Sequence, residues 1–133
     1  MKAFTDINQS KKLAEILPLE SADMEYMYLK EDSNKVSNVP FVKNNDEPKW
    51  PNDSYYDFIP CWSLAALLDV LESEIDGEEG ETYQLNIEKD GTWWNVWYKE
   101  RYDEANPIET TSTEELIDAC YEIILKLNER KLL

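Results

Sequence analysis

The sequence predicts a single α+β domain spanning 1–133: a small antiparallel sheet packed by two or three helices. Three observations carry that prediction. Residues 82–98, TYQLNIEKDGTWWNVWY, alternate about an Asp-Gly pair and predict a β-hairpin. Apolar residues recur at helical spacing in 60–75 and again after Ser112, which predicts two helices. Five Trp, eight Tyr and three Phe in 133 residues give enough apolar bulk for a core without disulfide or metal staples.

Taken in order, residues 5–17 predict a short helix. Asp6 and Gln9 have the spacing of a capping box, Leu13, Ile16 and Leu17 form the apolar stripe, and Pro18 stops it. MEYMYL at 24–29 predicts a strand that joins the hairpin. Residues 30–56 are rich in Asn, Asp, Lys and Pro, and predict a long irregular loop. A structureless stretch of that length is uncommon in a small domain. Either it holds an extra strand near Val39, Phe41 and Val42, or it lies across the sheet pinned by aromatics such as Phe41, Trp50, Tyr55 and Tyr56. Residues 60–75 predict a helix with Ser63 at the N-cap, Trp62 poised to staple onto Leu67, and Leu64, Leu67, Leu68, Leu71 and Ile75 on one face.

The hairpin follows. With Asp90 and Gly91 as the two central residues of a type I′ turn, Lys89 pairs with Thr92, Ile87 with Trp94, Leu85 with Val96 and Tyr83 with Tyr98. The opposite face then carries Glu88 with Trp93, Asn86 with Asn95, and Gln84 with Trp97. Asn106-Pro107 opens the next loop. Ser112 and Glu115 predict a capping box for a last helix whose stripe is Leu116, Cys120, Ile123, Ile124 and Leu127.

The charge narrows function. A net charge of −16 opposes direct binding to nucleic acid or to an anionic membrane, and suits a basic protein partner or mimicry of a polyanion. The first ten residues have no signal-like apolar core and no run reaches membrane-spanning length, so a soluble, cytoplasmic chain is expected. No His is present, which removes His-based catalysis and His-containing zinc sites. Cys61 and Cys120 predict reduced, buried thiols rather than a disulfide or metal ligands. Nothing in the sequence calls for a cofactor.

Pro51 to Glu81 carries nine acids and no Lys or Arg, and six of those acids fall between Glu72 and Glu81. Glu72 and Glu74 would sit at a helix C-terminus, where the dipole disfavours them. DGEEGE lacks the ligand spacing of a calcium loop, so solvated charge is the simpler account and a surface for a basic partner the sharper one. Glu114, Glu115, Asp118 and Glu122 fit the first turns of the last helix. Ser63 and the run Thr110, Thr111, Ser112, Thr113 lack a neighbouring general base and suit caps. Trp93 and Trp97 stand out, because the register places them on the polar face of the hairpin. Either the 30–56 loop buries them, or they form an exposed aromatic patch for a partner. The candidate partner-binding residues are therefore Trp93, Trp97, Glu72, Glu74, Glu78 and Glu79.

The segments IPCWSLAALLDVLESEI and ELIDACYEIILKL, flanking a hairpin, together with the opening TDINQSKKLAEILPLESADM, resemble small acidic proteins encoded by gut anaerobic bacteria and their phages. The resemblance covers most of the chain outside 30–56. It rests on caps and core positions, so it carries over no catalytic or binding residue. It implies a bacterial or phage cytosol and a mobile-element role. Three function classes follow: a protein interaction module acting as adaptor or inhibitor, a nucleic-acid-mimicking inhibitor, and an enzyme with carboxylate or metal chemistry.

Overall fold

In a computed structural model of the chain, residues 1–43, 55–102, 107–109 and 112–133 are described. Trp50, Asn106, Thr110 and Thr111 lie outside them. The elements run α1 (Ile7–Ala14), β1 (Met24–Leu29), β2 (Asp32–Val36), β3 (Phe41–Val42), β4 (Tyr56–Cys61), α2 (Leu64–Val70), β5 (Glu74–Asp76), β6 (Thr82–Asp90), β7 (Trp93–Glu100), β8 (Ile108–Glu109) and α3 (Leu116–Glu129). The fold is α+β, with its strands in two antiparallel sheets rather than one. The chain divides into two compact units, Phe4–Ala66 and Met1–Ala3 with Leu67–Leu133, the boundary falling inside α2.

The first unit is built on β1. β4 pairs along its whole length on one edge, while β2 and β3 share the other. The strand at 24–29 thus sits at the centre of this sheet and does not join the hairpin. Two strands also lie inside the stretch expected to be irregular: β3, near Val39 to Val42, and β2, which closes a tight turn at Lys30 and Glu31. The Asp6–Gln9 capping box is present in both directions, which satisfies donors at the start of α1. Tyr26, Ile59 and Cys61 form the buried centre, with Phe4, Ile7, Met24, Tyr28 and Val36 packed around it.

One polar knot runs through that core. Thr5 is fully buried, and its hydroxyl meets Ser10 Oγ at 2.7 Å and accepts from the Trp62 backbone N–H at 3.2 Å. Tyr26 OH donates to the Thr5 carbonyl at 2.8 Å, and Cys61 Sγ lies 3.5 Å from the same oxygen. Buried polar groups persist only when bonded, and here each has a partner. β4 also presents a blunted edge. Counting from the bond between Lys30 N–H and the Tyr55 carbonyl, its outward backbone positions are Tyr56, Phe58 and Pro60. The Asp57 carboxylate accepts from the Phe58 N–H, and Pro60 has no N–H to offer.

The second unit is a sheet in the order β5-β6-β7-β8, with α3 packed on β7 and β8. α3 buries the predicted stripe of Leu116, Cys120, Ile123, Ile124 and Leu127, and Ile117 and Ala119 with it. Its N-terminus differs from expectation. Glu115 is the N-cap residue without a side-chain cap bond, because Ser112 Oγ donates instead to Asn95 Oδ1 at 2.6 Å. Lys2 engages that turn: its backbone N–H donates to Glu115 Oε2 at 2.7 Å, and its ammonium pairs with Asp118 at 2.8 Å.

The helix expected over 60–75 is shorter. Pro60 and Cys61 close β4, α2 ends at Val70, and Ile75 lies in β5 opposite Tyr83. Ser63 keeps its capping role, since its Oγ accepts from the Ala66 N–H at 3.1 Å. Glu72 and Glu74 therefore do not sit on a helix. The unfavourable dipole noted from the sequence disappears, because the chain leaves the helix before reaching them.

Candidate functional site

The hairpin register is displaced by two residues from the expected one. Asp90 pairs with Trp93, Lys89 with Trp94, Glu88 with Asn95, Ile87 with Val96, Asn86 with Trp97 and Leu85 with Tyr98. The central residues are Gly91 and Thr92, and of these only Gly91 has positive φ, at 62°. Positive φ at the first central residue alone is the type II′ pattern, which needs one left-handed residue where type I′ needs two. Glycine takes that single position without steric cost, so Asp90 stays in the strand.

A displacement of two preserves every face, because side chains alternate with period two. One face carries Ile75, Tyr83, Leu85, Ile87, Trp94, Val96, Tyr98 and, on β8, Ile108. Val96, Tyr98 and Ile108 are buried there. Tyr98 OH reaches the Glu72 carbonyl at 2.6 Å, and burial raises its phenol well above the usual range. Burial pushes the Cys120 thiol up to about 12, so it stays protonated near neutral pH. Both cysteines are free thiols.

The opposite face has a different chemistry. It carries Trp93, Asn95 and Trp97 from β7, Gln84, Asn86, Glu88 and Asp90 from β6, and Glu74 and Asp76 from β5. Gln84 Nε2 donates to Glu74 Oε1 at 3.3 Å, and Thr82 Oγ1 to Asp76 Oδ1 at 3.2 Å, which ties β5 to this face. Trp93 is 46% exposed, whereas Trp97 is half-buried. Phe41 and Tyr55, named as aromatics able to pin a covering loop, are themselves 49% and 57% exposed.

Of the six sequence-selected residues, the fold brings Trp93, Trp97 and Glu74 onto one face. Glu72 lies in the link before β5, exposed, with its carbonyl fixed by Tyr98. Glu78 and Glu79 occupy the β5–β6 turn, where the Glu79 N–H donates to the Glu81 carboxylate at 2.9 Å and Gly77 N–H to the Glu81 carbonyl at 2.8 Å. Glu81, part-buried, holds the turn through its carboxylate and carbonyl, while the Glu78 and Glu79 side chains are exposed.

Two arrangements were missed. Asp90 joins the Trp face because it remains a strand residue, and the alternation already visible in the sequence placed Glu88 there without marking it as a site residue. Ser63 has a carboxylate neighbour after all: Asp23 accepts from both its N–H and its hydroxyl. The two are 40 residues apart, so spacing could not reveal them. The pair holds the start of α2 and is a structural clasp. Among the described residues no three His, Cys, Asp or Glu side chains gather into a metal-holding group. No described helix is long and apolar enough to cross a membrane. No family model, curated protein or solved structure matches the chain.

Proposed function

We propose that this protein is an interaction module, an adaptor or inhibitor of bacterial, phage or mobile-element origin, that acts in the cytoplasm and binds a protein partner through the sheet face bearing Trp93 and Trp97. The observation that carries the reading is the exposure of Trp93 on the face opposite α3. A large indole left in water gains little from folding but is among the side chains that contribute most at interfaces. Amides and carboxylates around it supply the polar surround such a contact needs.

Nucleic-acid mimicry is the weaker reading, because Trp93, Asn95 and Trp97 interrupt the carboxylates on this face. Direct binding to nucleic acid is disfavoured by the −16 charge. Affinity capture from the host, followed by mass spectrometry, tests the proposal. A protein retained by the parent and lost by a folded Trp93→Ala variant is the expected result. Capture that is indifferent to Trp93 overturns it.

A further inference from the structure

We infer that the occupant of this face is an extended, cationic segment of the partner, carrying Arg side chains that lie over the indoles and pair with Glu88. The inference rests on the docking reading above and adds the chemistry of what docks.

Register supplies the geometry. Trp93 and Trp97 are same-face residues four apart on β7, which spaces their Cα atoms by about 13 Å. Asn95 lies midway, and Glu88 is its direct cross-strand partner. Glu88 is therefore diagonal to both indoles, at the ~7–8 Å reach of such neighbours. Asp90 is paired directly with Trp93. Neither Glu88 nor Asp90 forms an ion pair among the described residues, and both are exposed.

Charge decides the occupant. Among the described residues four carboxylates, Glu74, Asp76, Glu88 and Asp90, share this face with two cations, Lys99 near the end of β7 and Arg101 just beyond it, opposite Thr82. Both cations lie at the end away from Trp93, Glu88 and Asp90. Lys89, the nearest lysine in sequence, is on the reverse face with its ammonium 5.3 Å from the Trp94 ring centre. The reverse face thus already holds a cation over an indole, while on the opposite face Asp90 is paired with Trp93 and Glu88 lies diagonal to both indoles. A guanidinium stacks on an indole and forks onto a carboxylate, which an ammonium does less well. A second copy of this chain, also at −16, is repelled. An extended segment suits a flat row of alternating contacts better than a compact cation does.

The test uses the whole protein and a synthetic twelve-residue Arg-Gly repeat peptide at ~0.15 M salt, where exposed charges are partly screened. Binding is followed by the indole N–H resonances of Trp93 and Trp97. The expected result is saturable movement of both resonances, weakened at least tenfold by Glu88→Gln. The double variant Glu78→Gln with Glu79→Gln removes twice the charge from the β5–β6 turn and should weaken binding less than twofold. Equal weakening by the two would mean diffuse attraction to an acidic protein and overturn the inference. So would the absence of indole movement, or tighter binding of a Lys-Gly repeat peptide of the same length, because an ammonium lacks the planar fork that stacks and pairs at once. Host capture that needs Trp93 but not Glu88 would overturn the cationic occupant while leaving the docking face standing.

Discussion

Two single residues make the strongest local claims. The Thr5 hydroxyl serves Ser10 and the Trp62 N–H inside the first unit's core. Thr5→Val keeps the shape and removes the oxygen, leaving the Trp62 N–H without its acceptor in a buried site, so it should cost roughly 1–3 kcal/mol in urea unfolding. An unchanged midpoint would show that the knot is incidental. Cys120 gives a pH prediction. Its folded value of about 12 lies above that of a free thiol, roughly 8.5 in the unfolded chain. The folded state then holds the proton more tightly. Its contribution to stability is complete below the unfolded value and drains away as pH rises toward the folded one. Burial also raises Tyr26 to about 12, and raises Tyr98, with the same sign. Stability should therefore fall from about pH 9 upward, and Cys120→Ala should flatten part of that slope even though it lowers stability throughout. Parallel slopes for parent and variant would contradict the assignment.

At the scale of elements, the hairpin shows what the sequence could and could not disclose. Alternation settled which residues share a face, since any even displacement leaves the faces intact. It could not separate a turn centred on Asp90 and Gly91 from one centred on Gly91 and Thr92, because both use the same glycine. The backbone separates them: Asp90 is a strand residue opposite Trp93. Asp90→Gly should accordingly destabilise by about 0.5–1 kcal/mol, as glycine does within a strand. A gain in stability would favour the turn first expected. The last helix was legible because its stripe is long and periodic. Its cap was not, because Asn95 competes for the Ser112 hydroxyl from across the chain. The helix at 60–75 was overextended for a similar reason. Ile75 fits the helical period by coincidence, and pairing with Tyr83 in β5 claims it instead. Likewise β2, DSNKV, has almost no apolar alternation and exists by pairing with β1.

For the whole molecule, charge and the Trp face set the behaviour. Few cations offset the acids, and the pairs Lys12–Glu15 and Lys126–Glu122 are partly exposed, so each contributes little. Self-repulsion at −16 should make melting temperature rise as salt increases from ~0.01 to ~0.2 M. A fall would mean that attractive pairs dominate. The acidic surface and the placement of both indoles on the hairpin's polar face were visible in the sequence, but the exposure of Trp93 and which acids lie near which indole depended on the fold: Glu74 joins the face through β5, while Glu78 and Glu79 remain in a turn. Docking through this face, as proposed, requires Trp93 to lie in solvent rather than pack into the protein. The direct measurement is the unfolding free energy of Trp93→Ala against the parent. A displayed indole predicts a loss within about 1 kcal/mol, whereas a loss of roughly 3–5 kcal/mol would mark Trp93 as a core residue and contradict the account.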